Sequence, residues 1–316
     1  MSLSLLQKEV ERLAKTAGGT LGVCAIHIET GRQVAVFGDE RFPMASVFKI
    51  PLALHLLNLV DQGNERLDRM IELKAHDLHP GSGAISHILT KPGVSLSLLN
   101  LLELTMTISD NTATDVIMRE IGGHQPINCR LCELGIEGIR VDRPTVHLIQ
   151  DVAGLKLPHE KNWTPEVFEK ADKQADRMTP KAKRKIVDKF NADPRDTSTP
   201  NGMAVLLARL WKEELLSPQS TKLLLDIMGR CQTGLARLKG LLPAETEVMH
   251  KTGTLMTVIQ STTNDAGIVT LPDNAGHIAI AAFVKSSEKT ADEQDRAIAE
   301  VTRAAHDYFL FNNGQS

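Results

Sequence analysis

Ser46-Val47-Phe48-Lys49-Ile50-Pro51-Leu52-Ala53-Leu54-His55-Leu56-Leu57 opens an apolar run that continues to Val60. Read as a helix from Ser46 to Val60, it is hydrophobic on nearly every side and must be buried. Lys49 is carried into the interior with it, and a buried, unpaired ammonium is costly enough to need a purpose. Ser46 supplies one. Three residues apart on a helix, the two side chains share a face, and a hydroxyl is a poor nucleophile at neutral pH until a nearby base takes its proton. The helix start adds free N–H groups and a dipole that favour an oxyanion formed beside the nucleophile.

Working outward, two further stretches complete a nucleophilic serine site: Ser109-Asp110-Asn111 and Lys251-Thr252-Gly253, in that order along the chain. Ser109 can pass a proton to a leaving group, and Lys251 with Thr252 can hold an anionic substrate. Ser109-Asp110-Asn111 also reads as a turn or helix cap before Thr112. Strict alternation on a strand puts Lys251 and Gly253 on one side and Thr252 on the other, so a cleft-facing Thr252 requires the edge to twist. Gly253 lets a substrate approach the backbone closely.

Taken together, the S-x-x-K, S-D-N and K-T-G set resembles the penicillin-recognising serine enzymes, with the spacing of class A β-lactamases. Phe42-Pro43-Met44-Ala45, Arg195-Asp196-Thr197-Ser198-Thr199-Pro200 and Cys231-Gln232-Thr233-Gly234-Leu235-Ala236-Arg237 are similar to segments of that family, so the resemblance covers almost the whole chain. It implies an α/β (α+β) fold of the β-lactamase/transpeptidase type: an antiparallel sheet formed by both termini with flanking helices, plus an inserted all-α subdomain. Residues 1–42 and 230–316 would form the sheet subdomain and 43–229 the helical one, with an enlarged Ω-loop region at about 143–196. The resemblance also implies that Ser46 is acylated by β-lactams and that Lys49 serves as base. Asn111 would hold a substrate amide oxygen, and the N–H groups of Ser46 and Thr254 would form the oxyanion hole. Arg237 would help Lys251 and Thr252 bind a carboxylate, while Asp110, Gly253, Arg143 and Asp196 would be structural at the site.

One departure bears on mechanism. Class A β-lactamases resemble one another in an Ω-loop Glu that activates the deacylating water. Counting from Ser109, Arg143 is the loop's opening Arg and Thr145 takes the Glu position; counting back from Asp196, the closing Asp, the position is Lys183. Neither is an acid. Asp196 lies 53 positions after Arg143 (196 − 143), so the loop carries an insertion, charged and partly helical by composition. Glu160, Glu166, Asp188 or Asp193 within it could fold back as a substitute. The expected function is therefore a β-lactamase-like serine hydrolase with slow deacylation. The alternatives are a peptidase or esterase on another acyl substrate, or a penicillin-binding domain acylated without turnover.

Composition fits this and excludes much else. The chain has 316 residues, 42% hydrophobic and 24% charged, enough for a substantial core. With 36 basic against 39 acidic residues and one Tyr, it has neither the field nor the stacking surface for nucleic acid. No apolar run reaches the roughly 20 residues that span a bilayer. The expectation is a monomer acting on a small molecule, without cofactor or metal. Cys24, Cys129, Cys132 and Cys231 make no obvious disulfide framework and read as buried or idle thiols. His76 and His79 flank Asp77 and Leu78 in what reads as a polar loop. No signal peptide is visible; the compartment would be periplasmic or external if one had been trimmed, and cytoplasmic otherwise.

Helical periodicity is expected over Leu3–Thr16, Ser97–Ile108, Thr112–Ile121, Gln125–Leu134, Gly202–Glu214, Ser220–Cys231 and Ala291–Phe311. Strands are expected at 20–29, 33–37, 247–253, 265–271 and 277–285.

Overall fold

The computed structural model describes residues 2–78, 81–89, 91, 93–159, 162–257 and 260–312. Helix α1 (Leu3–Ala14) leads into the hairpin β1 (Thr20–His27) and β2 (Gln33–Val36), then β3 (Phe42–Pro43) and α2 (Lys49–Asp61). A helical stretch follows, with β4 (Met70–Glu72), α3 (Ile85–Ile88), β5 (Ser95–Ser97), α4 (Leu98–Thr107), α5 (Asn111–Glu120), α6 (His124–Glu133) and α7 (Thr145–Ala153). Next come α8 (Pro165–Asp176), α9 (Pro180–Asn191), β6 (Thr197–Ser198), α10 (Pro200–Trp211) and α11 (Pro218–Gly229). Three long strands, β7 (Val248–Met256), β8 (Ser261–Thr270) and β9 (His277–Ser287), and helix α12 (Ala291–Phe311) complete the fold.

The main sheet has the order β2-β1-β9-β8-β7, every pair antiparallel. Strands from the two ends of the chain therefore join at its centre, with Thr20 opposite Lys285 and His27 opposite Ile278. Both faces are covered, and β9 shows how. Its apolar residues run without a break, but alternate ones face different cores. Ile278, Ile280, Ala282 and Val284 pack with Leu6 and Val10 of α1 and Ile298, Val301 and Phe309 of α12. Ala279, Ala281 and Phe283 pack with Ile50, Leu52 and Leu56 of α2, Met203 and Leu207 of α10, and Leu101 of α4. This second core runs unbroken from the sheet into the helical half and fixes β7 relative to α2.

Helix starts are well marked. Helices α8, α9, α10 and α11 each place Pro at the first position behind a capping hydroxyl, from Thr164, Thr179, Thr199 and Ser217. Helix α12 begins with a capping box, Thr290 Oγ1 accepting from Glu293 N while Glu293 accepts from Thr290 N. No described helix is long and apolar enough to cross a membrane.

Most expected elements are present, with ends shifted by a few residues. Two differ in kind. The run from Ser46 is a 3₁₀ turn over Ala45–Phe48, and the α-helix starts only at Lys49. The segment after Arg143, expected as loop, opens with α7, whose N-terminal N–H groups at Thr145 and Val146 donate to the Asp115 carboxylate from α5.

Candidate active site

The turn carrying Ser46 is held in an unusual conformation. Ala45 has φ 48°, a left-handed value that costs a non-glycine residue energy and persists only when the surroundings impose it. The surroundings do. Met44 N donates to the Asp196 carbonyl at 2.9 Å, and Asn264 Nδ2 donates to the Pro43 and Met44 carbonyls at 2.7 and 3.0 Å. On the other side β7 passes so close that a Cβ on Gly253 would stand 2.5 Å from Met44 O and 3.0 Å from Ser46 N, so only glycine fits. Because β7 is an edge strand, its outer backbone faces this turn.

Lys49 and Lys251 converge on Ser109. Lys49 Nζ donates to Ser109 O at 2.8 Å and Asn111 Oδ1 at 2.9 Å, and lies 3.1 Å from Ser109 Oγ. Lys251 Nζ lies 3.0 Å from the same Oγ and donates to Thr252 O at 2.8 Å. Ser109, also left-handed at φ 59°, is thereby aimed between the two amines. Both lysines are fully buried. Burial first, then the Lys251 charge, hold the Lys49 ammonium well below its ordinary range. Lys251 is lowered by burial to about 8, with Cys231 and Asp265 opposing the shift and Arg237 adding to it. A neutral Lys49 keeps two N–H bonds for the two carbonyl oxygens and a lone pair for a hydroxyl proton.

Around this centre, Asp110 joins the Ser109 loop to the segment above it, its carboxylate accepting from Ala84 N, Ile85 N and Ala113 N. Ser82, which sequence reasoning missed, donates to Ser109 O at 2.7 Å and contacts Asn111 Oδ1 at 3.2 Å. Thr252 Oγ1 stands 2.5 Å from Thr233 Oγ1. Arg237 is buried behind β7 with its fork in use. Nε donates to Asp295, Nη1 to the Gly253 and Asn264 carbonyls, and Nη2 to Thr254 Oγ1. It therefore meets the cleft through Thr254 and through its charge.

Arg143 and Asp196 close the feet of the insertion. Arg143 Nε donates to Asp196 Oδ2 at 2.5 Å, both residues being buried, and the Asp142 N–H and Asp196 N–H each donate to the other's carboxylate. Arg143 also pairs with Asp193 and Asp151. Between these feet, α7 supplies one wall of the cleft around Ser46: Thr145, Leu148, Ile149 and Val152, facing Thr254, Leu255 and Met256. No carboxylate lines that cleft among the described residues. Of the possible substitutes, Asp193 is held by Arg143 and Arg195, and Glu166 is fully exposed at the start of α8 beside Thr164. Asp188 is exposed on α9, and Glu160 lies outside the described residues, as do His79 and Pro80. Asp77, beside the half-buried His76, pairs with Arg119. No three His, Cys, Asp or Glu side chains are placed to hold a metal among the described residues.

The model of the β-lactamase enzyme family matches residues 5–309. The chain belongs to that family. Among its relatives is the β-lactamase VEB-1 of Pseudomonas aeruginosa, 28% identical over 309 residues, spanning 96% of this chain and 90% of the relative. Among solved structures, TLA-3 extended-spectrum β-lactamase superposes with TM-score 0.80 at 28% identity, covering 98% of this chain and all of that one. An ancestral class A β-lactamase gives TM-score 0.75 at 34% identity, covering 96% and 99%. Its mixed architecture of helices around an antiparallel sheet is the class A β-lactamase fold.

Proposed function

We propose that the protein hydrolyses β-lactams through an acyl-enzyme on Ser46, and that release of the acyl group is the slow step. The observation that carries the first part is Ser109 Oγ standing at hydrogen-bond distance from both Lys49 and Lys251 within a buried site. Neutral Lys49 takes the Ser46 proton as Oγ attacks the lactam carbonyl. The oxyanion is stabilised by the Ser46 and Thr254 N–H groups. The C–N bond then breaks, Ser109 gives its proton to the leaving nitrogen, and Lys49 returns a proton to Ser109. Lys251, with Thr252, holds the substrate carboxylate, and Asn111 the side-chain amide.

Slow release rests on what stands where a deacylating base is needed: buried Thr145, then Leu148 and Ile149. A positioned general base contributes about 10²–10⁴-fold, so its loss leaves acylation intact and stalls hydrolysis. The same observation favours, as a second reading, a penicillin-binding protein that is acylated and does not turn over. Rapid mixing with a penicillin, followed by intact mass, separates the two. A burst of one equivalent followed by a slow linear phase is the expected result, with the adduct on Ser46 and absent in Ser46→Ala. A burst with no later phase gives the second reading. Fast steady-state hydrolysis without a burst would refute slow release, and an adduct away from Ser46 would refute the site.

A further inference from the structure

Thr252 does not offer its hydroxyl to the cleft as an independent donor. Its Oγ1 is 2.5 Å from Thr233 Oγ1, which in turn is 3.4 Å from the Cys231 sulfur. Each threonine hydroxyl has one proton to give, so the direction of one bond constrains the next. A neutral Cys231 thiol gives its proton to Thr233 Oγ1, or to the Thr233 carbonyl at 3.8 Å. Thr233 is then free to donate to Thr252, and Thr252 to donate into the cleft. A thiolate has no proton and accepts one hydrogen bond from Thr233. Thr252 must then donate back to Thr233, and it turns a lone pair toward the cleft.

We propose that Cys231, acting through Thr233, decides whether Thr252 presents a proton or a lone pair to the anionic group of the substrate. Cys231 is thus a positioning residue for the anion-binding end of the site. The inference rests on the reading above in which Thr252 donates to the substrate carboxylate.

The surroundings make both states of Cys231 reachable. The sulfur is buried just past the end of α11, and the cation that acts on it most strongly is His250, the residue before Lys251. His250 is completely buried. Its Nδ1 is 2.9 Å from both oxygens of the equally buried Asp265 on β8, while its Nε2 has no hydrogen-bond partner among the described residues. Burial pushes the thiol up, but the His250 imidazolium, then Lys251 and Thr233, bring it down to about 7. Burial pushes His250 down, but Asp265 and then Cys231 hold it up at about 9, so it stays charged while the thiol titrates to solvent. The remaining charged neighbour is Lys251, at about 8, with Arg237 behind it. The titration nearest neutrality therefore belongs to the far end of the chain, and that of Lys251 follows at higher pH.

The test follows acylation of the whole protein from pH 5.5 to 9 with a carboxylate-bearing penicillin and with an uncharged activated ester. For the penicillin, the half-saturating concentration should rise about 10-fold or more in a step centred near pH 7, the scale of one hydrogen bond to a charged group. The ester should show no such step. Cys231→Ser should lack the step and keep the low value through neutrality, with Cys231→Ala serving in its place should the serine variant not fold. Thr233→Val leaves Thr252 without an acceptor other than the substrate, so it should start low and show no step near pH 7. The thiolate absorbance near 240 nm, taken against Cys231→Ser, should share the step's midpoint. Persistence of the step in Cys231→Ser or Thr233→Val, or an equal step for the ester, would overturn the inference while leaving the proposed function in place. Failure of both substrates to acylate Ser46 would overturn the proposed function and this inference with it.

Discussion

Ser109→Ala is the most informative single change in the site. It removes one oxygen, the atom 3.1 Å from Lys49 Nζ and 3.0 Å from Lys251 Nζ, and leaves the backbone carbonyl that accepts from Lys49 at 2.8 Å. Lys49 keeps Asn111 Oδ1 and Lys251 keeps Thr252 O. Alanine tolerates φ 59° no worse than serine, so the cost to stability is confined to the lost contacts, about 1–3 kcal/mol. The catalytic cost is larger and selective. A lactam nitrogen cannot leave without a proton, so acylation by penicillins should fall by about 10²–10⁴-fold, the contribution of a positioned acid. A p-nitrophenyl ester has a leaving group that departs unprotonated, and its acylation rate should fall by less than about 10-fold. Stopped-flow acylation with both substrates, alongside a urea melt to show that the fold is retained, measures the difference. Equal losses on the two substrates would refute the assignment of Ser109 as proton donor and make it a holder of the two lysines.

Three further outcomes follow from the same geometry. Arg143→Ala leaves the buried Asp196 carboxylate without its cation, so urea denaturation should show a loss of about 3–5 kcal/mol, and limited proteolysis should cut first within 150–193. Arg237→Ala breaks bonds to two β7 and β8 carbonyls and to Asp295. It should therefore slow acylation by the uncharged ester as well as by penicillins, and an effect on penicillins alone would show that its charge acts on the substrate directly. The Lys251 ammonium is present below about pH 8 and lost above it, so penicillin affinity should fall through that range, whereas Lys251→Met should show no such limb in a binding titration.

The fold was legible where local chemistry is strong. Helix α12 could be placed from Thr290-Ala291-Asp292-Glu293 and its apolar stripe, and the β8–β9 turn from Pro272 through Gly276. The strand β7 runs on to Met256, beyond the expected end at Gly253, because β8 provides partners for Thr254, Leu255 and Met256 that no local signal announces. Helix α7 escapes the sequence although Val146, Ile149 and Val152 have helical spacing, because a count of positions from Ser109 assigns the stretch to the Ω-loop whatever its own periodicity. The three short motifs bring together groups 142 residues apart, Ser109 and Lys251, and that meeting could be inferred only from the resemblance. Contacts made by unremarkable residues left no trace: Ser82 on Asn111, Asp115 on the α7 start, and Thr233 between Cys231 and Thr252. Cys231 read as an idle thiol because its significance depends on His250 and Asp265, one on each of two paired strands.

The clamp of Asp142, Arg143 and Asp196 separates two engineering problems that are usually entangled. Its two ends meet in a buried pair, and Asp196 also holds Met44 two residues before the nucleophile, so the catalytic turn is braced by the clamp itself and not by what lies between its jaws. Lengthening a flexible loop whose ends are already fixed adds only about 0.6 kcal/mol per doubling. The stretch after α7 is in that sense a cassette socket: a reporter domain, a ligand-gated hairpin or a shorter linker could replace much of α8 and α9 without re-tuning the lysines, provided that α7, which walls the cleft, and the side chains that back it, Phe168 behind Val146 and Phe190 behind Leu148 and Val152, stay.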